Sequence, residues 1–123
     1  MQPTLVLNIK PDMLLYREES FGPVCTVQRF SSIEEGIVLA NDSEFGLSSA
    51  VFSQNISQAL EVAKQIDSGI CHINGATVHD EAQMPFGGTK SSGYGRFGSK
   101  ASIAEFTDLR WVTIQTQSRH YPI

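Results

Sequence analysis

The sequence predicts an α/β protein, a mostly parallel sheet with flanking helices, and three observations carry that prediction. Short segments rich in Val, Ile, Leu, Thr and Phe alternate along the first part of the chain with segments of helical periodicity, the succession expected of β-α-β crossovers. The clearest helix, stepping through Ile56, Ala59, Leu60, Ala63 and Ile66, stands between two such strand segments. The run Thr4-Leu5-Val6-Leu7 is nearly continuous in its hydrophobicity, the pattern of a strand covered on both faces.

Taken in order, Thr4 to Asn8 and Pro23 to Phe30 read as strands bounded by Pro and Gly. A helix begins at Ser31 or Ser32, with Glu34 and Glu35 at capping-box spacing, Ile33, Ile37 and Ala40 on one face, and a stop near Asn41-Asp42. Ser48 to Ser53 follows Gly46 as a strand. The periodic helix comes next, with Asn55 as its N-cap and Gly69 as the residue past its end, and Ile70 to Asn74 completes the crossover. Residues 75–98 form a long connection that holds Gly87, Gly88, Gly93, Gly95 and Gly98; a loop of that length is usually functional or pinned by its neighbours. A last helix is expected from Ser99 to Phe106, then a terminal strand from Leu109 to Thr116 with Trp111, Val112 and Ile114. The chain is therefore divided into one α/β unit, residues 1–107, and a terminal strand and tail, residues 108–123.

Composition narrows the function. With 123 residues, 41% of them hydrophobic, there is material for a folded core. Nine Lys and Arg against thirteen Asp and Glu give a net charge of −4 without a basic cluster, which argues against nucleic acid and anionic membranes as partners. The first residues carry no basic leader before an apolar run and no stretch reaches membrane-spanning length, so a cytoplasmic location is expected. Cys25 and Cys71 are too far apart for a redox or metal motif and read as reduced thiols, a single disulfide being the alternative.

One motif is misleading. Gly93-Tyr94-Gly95-Arg96-Phe97-Gly98 spells the phosphate-binding fingerprint of dinucleotide folds, but that turn needs a strand immediately before it, and a loop, Pro85 to Ser92, stands there instead. Tight turns and close packing are the better reading of these glycines.

Two longer strings identify a lineage. Glu18-Glu19-Ser20-Phe21-Gly22-Pro23, and later Pro85-Phe86-Gly87-Gly88-Thr89-Lys90-Ser91-Ser92-Gly93-Tyr94-Gly95-Arg96, resemble, in order, two segments of the aldehyde dehydrogenase superfamily. His79-Asp80-Glu81-Ala82-Gln83-Met84 ahead of the second string, and Phe97 after it, resemble the branch that oxidises aromatic aldehydes such as salicylaldehyde, benzaldehyde and vanillin.

The resemblance implies a carboxyl-terminal portion of such an enzyme. In the family a cysteine thiolate adds to the aldehyde carbonyl, hydride passes to the nicotinamide, and water activated by a glutamate releases the acid; the cysteine, the glutamate and the dinucleotide fold belong to segments ahead of these motifs. No nucleophile or other catalytic residue is assigned here, and the resemblance implies that this portion is not competent alone.

Glu19 and Phe21 are the implied contacts to NAD or NADP. A carboxylate accepts hydrogen bonds from two ribose hydroxyls, and an aromatic ring two residues on in an extended segment lies on the same side, against the nicotinamide. For these residues alone, cofactor binding is expected to be weak or absent.

Phe86 resembles a wall of the substrate tunnel, a core phenylalanine being the rival reading. His79 is placed at the tunnel mouth rather than in a metal site, since three scattered histidines have no ligand spacing. Lys90 and Arg96 either meet an anionic group or make structural hydrogen bonds; their places in the family motif favour the second. The partners implied are a small aldehyde in the intact enzyme, and either a second copy or the upstream half of the enzyme. The alternative is a non-catalytic α/β module that associates through the edge of the Leu109 to Thr116 strand.

Overall fold

A computed structural model of the chain describes residues 2–122. Strand β1 (Thr4–Leu7) pairs in parallel with β2 (Val24–Val27), from Thr4 opposite Val24 to Leu7 opposite Val27. Between them stands one helical turn, α1 (Leu14–Arg17), which the sequence pattern does not announce because no side chain caps its start. What holds the turn is tertiary: the Tyr16 hydroxyl donates to Asp42 Oδ2 at 2.6 Å, and Arg17 Nη1 lies 2.7 Å from Asp42 Oδ1.

Helix α2 (Ile33–Asn41) starts as its capping residues require. Ser32 Oγ accepts from the Glu35 amide, and the Glu35 carboxylate accepts from both the amide and the hydroxyl of Ser31, at 2.8 and 2.6 Å. Those bonds from Ser31 favour the ionised form of Glu35 and pull its pKa down.

Beyond the two-residue strand β3 (Phe45–Gly46), β4 (Ser48–Val51), α3 (Ile56–Ala63) and β5 (Ile70–Ile73) make the expected crossover, with β4 and β5 parallel and α3 packed on both. Asn55 caps α3 by accepting from the Gln58 amide at 3.1 Å. The apolar positions of α2 and α3, among them Ile33, Ile37, Ala40, Ala59 and Val62, line one cleft over β4 together with Ile66 from the turn after α3. This is the core, and Ala59 is its fully buried member among the described residues.

Several expectations are corrected. The pairing is mostly parallel, as expected, but it is divided: the described residues form two separate parallel pairs and one antiparallel pair, β3 with β6 (Thr89–Lys90). No strand among the described residues bridges the pairs by hydrogen bonds, so each ladder stops at two strands. β1 is not covered on both faces; Leu5 and Leu7 are 72% and 57% exposed. Helix α3 ends at Ala63 rather than Ile66, so Gly69 is not its C-terminal glycine.

Gly69 serves close packing instead, lying against the Gly87 carbonyl where a Cβ would collide. The long connection is pinned by β6 and by paired hydrogen bonds between Phe86 and Phe97, 2.8 Å each way. Gly95 takes a left-handed φ of +65° beside the Glu105 carboxylate, and Gly98 precedes the final helix α4 (Ser99–Glu105). The expected terminal strand does not form: residues 109–116 have no ladder partner among the described residues, and Leu109, Trp111 and Ile114 stand exposed. A strand exists only by pairing, which hydrophobic pattern alone cannot supply.

Candidate functional site

The candidate site has two concavities, which meet along the chain at the step from Ser68 to Gly69, just before β5. The first is a cavity of 430 Å3 between β5 and the segment 79–86 that folds back over it. Its walls include Ile70, Met84, Pro85 and Phe86, which are apolar, and Cys71, His72, His79, Asp80 and Glu81, which are polar or ionisable. A concavity of this volume with an apolar side and a side of polar and ionisable groups suits a small aromatic molecule that carries polar substituents.

His79 and Phe86, singled out from sequence separately, are thus brought together. The backbone of Phe86 is fixed by its pairing with Phe97. His79 Nε2 lies 3.6 Å from Glu81 Oε1, and its ring meets that of His72 edge to face, with centroids 5.7 Å apart and an interplanar angle of 85°. His72 Nε2 is buried and has no hydrogen-bond partner among the described residues. His72 and Cys71 went unassigned in the sequence because nothing in the spacing of residues 71, 72 and 79 shows that the connection returns onto β5.

The second concavity, 420 Å3, is bordered by Glu19 and by Ser43, Ser48, Ser49, Ser68 and Ser92, with Phe45 and Leu47 among its apolar walls. Glu19 lies two residues past the end of α1, so the hold of Tyr16 and Arg17 on Asp42 fixes where its segment begins. Asp42 is kept ionised below the usual aspartate range first by the Tyr16 hydrogen bond and then by Arg17.

Phe21 does not share this concavity. It is 95% exposed, so within this chain the expected pair of contacts is split between a lined wall and an open ring. A carboxylate beside an open, hydroxyl-lined hollow fits the ribose end of a dinucleotide, and an exposed ring fits a flat partner.

Lys90 and Arg96 bond the backbone. Lys90 Nζ donates to the carbonyls of Asn41 and Ser43, each at 3.0 Å, and Arg96 Nη1 donates to those of Gly88 and Gly95, at 2.8 and 2.7 Å. Among the described residues no three His, Cys, Asp or Glu gather to hold a metal ion, and no helix is long and apolar enough to cross a membrane.

The α/β framework thus carries a cavity under a returning loop and, beside it in the chain, a hollow bordered by a carboxylate. The model of the aldehyde dehydrogenase family matches residues 1–112, and the chain belongs to that family, whose members oxidise aldehydes. It is 67% identical over all 123 residues to a vanillin dehydrogenase of a Pseudomonas species, covering 100% of this chain and 26% of that protein.

The crystal structure of a salicylaldehyde dehydrogenase from Pseudomonas putida G7, complexed with salicylaldehyde, superposes with a TM-score of 0.89 at 50% identity, over 97% of this chain and 25% of that one. A betaine aldehyde dehydrogenase of Staphylococcus aureus in complex with NAD+ gives a TM-score of 0.79 at 43% identity, over 85% and 21%. The chain spans about a quarter of the length of the curated relatives it matches.

Proposed function

We propose that these residues form one side of the active site of an NAD- or NADP-dependent dehydrogenase of aromatic aldehydes. Phe86 and His79 border the passage of the aldehyde, and Glu19 and Phe21 meet the ribose and the nicotinamide. The bound dinucleotide supplies the hydride acceptor; this chain's part is to orient it and to border the aldehyde. The observation that carries the reading is the 430 Å3 cavity in which His79 and Phe86 come together, and the likeness to vanillin and salicylaldehyde dehydrogenases supports the aromatic substrate.

The 123 residues taken alone are proposed to be inactive, because no nucleophile is assigned among them. The test has two arms. The purified chain, given benzaldehyde or salicylaldehyde with NAD, produces no NADH absorbance. A vanillin dehydrogenase whose matching quarter is replaced by residues 1–123 oxidises both aldehydes. Turnover by the chain alone would overturn the first arm and direct attention to Cys71, the thiol on the cavity wall; an inactive but folded chimera would overturn the second.

The exposed Leu109, Trp111 and Ile114 favour a second reading, a non-catalytic module that pairs through this segment with another chain. A stable oligomer of the purified chain, together with an inactive chimera, would select it.

A further inference from the structure

His72 is the histidine of the cavity to which no role has been given. A histidine kept only for structure normally has partners for its buried nitrogens, because an unpaired buried polar atom is unfavourable. His72 Nε2 has no hydrogen-bond partner among the described residues, so no hydrogen bond at that atom fixes the ring. What the ring does contact is His79, edge to face at 5.7 Å. On its other flank His79 Nε2 lies 3.6 Å from Glu81 Oε1, so its exposed imidazole stands between His72 and Glu81 at the cavity rim.

We propose that His72 is a positioning residue that holds the His79 imidazole in the orientation that hydrogen-bonds a hydroxyl group on the aromatic ring of the aldehyde. The inference rests on the proposed aldehyde cavity and deepens it by naming the ring substituent that the cavity reads. Met84, Pro85 and Phe86 accommodate the ring. A phenolic hydroxyl both donates and accepts, so it finds a partner in either tautomer of His79. An aldehyde without that hydroxyl makes the apolar contacts only.

The test uses the whole-enzyme chimera with para-hydroxybenzaldehyde and benzaldehyde as paired substrates. His72→Ala lowers the preference for the hydroxylated aldehyde, taken as the ratio of kcat/KM values, about tenfold, and does so through KM rather than kcat. His72→Phe, which keeps an aromatic edge against His79, restores most of the preference. His79→Ala loses it as His72→Ala does, and the double variant loses no more than either single one.

Should His72→Ala not fold, His72→Leu, which fills the space without an aromatic edge, is read in its place. An active chimera whose preference is unmoved by these changes, or whose two single effects add, overturns the positioning role and leaves the proposed function standing. A folded chimera inactive on both aldehydes overturns the proposed function, and this inference with it.

Discussion

Gly69 lies against the carbonyl of Gly87 so closely that no Cβ fits between them, and this contact sets how the glycine-rich connection lies over β5. The atom that a side chain would strike is backbone, which cannot rotate away. Gly69→Ala therefore displaces the segment that carries Phe86 and destabilises the chain by about 1–3 kcal/mol, the usual cost of overpacking. Thermal unfolding of the two chains by circular dichroism measures the loss; an unchanged midpoint would mean that the connection is free to shift.

Asn41 ties the end of α2 to the turn after α3, its Nδ2 donating to the Gln65 carbonyl and its Oδ1 accepting from the Asp67 amide, both at 2.8 Å. Asn41→Ala removes both bonds and is expected to destabilise the chain by about 1–2 kcal/mol. Gln58 at the far end of α3 provides the control: its side chain makes none of these contacts, so Gln58→Ala in the same melting series moves the midpoint little.

Acid acts on Asp42. Its pKa is depressed in the folded state, so the unfolded chain binds the proton more readily. The stabilisation is complete above the unfolded value, about pH 4, and is lost as pH falls through the folded value. Asp42→Asn removes the ion pair with Arg17 and lowers the melting midpoint near neutrality. The gap between the two proteins narrows as the pH is taken toward about 3. A gap constant across that range would mean that the Tyr16–Asp42–Arg17 cluster does not hold α1.

Local rules made some elements legible and not others. Ser31, Ser32 and Glu35 announce the start of α2 because a cap is satisfied within four residues, and Asn55 does the same for α3. The end of α3 is not legible in the sequence because Ile66 continues the apolar face, while the turn that stops the helix is held by Asn41, more than twenty residues away. Helix α1 and residues 109–116 fail for the same reason: one is made by a distant aspartate, and the other needs a strand partner that no described residue supplies.

The site divides in the same way. Glu19 and Phe86 could be picked from contiguous strings, whereas the meeting of His72 with His79 depends on a loop folding back, which no spacing rule records.

Glu19 is the residue on which the cofactor assignment turns. Its carboxylate borders the serine-lined hollow, and two hydroxyls of a ribose are natural donors to it. Hydrogen bonds to a charged acceptor are worth about 1.5–3 kcal/mol, so in the chimera Glu19→Ala raises the KM for NAD by about ten- to a hundredfold. Glu19→Gln keeps one acceptor oxygen without the charge and falls between the two. The KM for the aldehyde stays close to its starting value, because the cavity proposed for the aldehyde has no lining residue in common with the hollow that Glu19 borders. Initial-rate kinetics with each substrate varied in turn decide the matter: a KM for the aldehyde that rises in step with that for NAD would place Glu19 in the support of both sites rather than at the ribose.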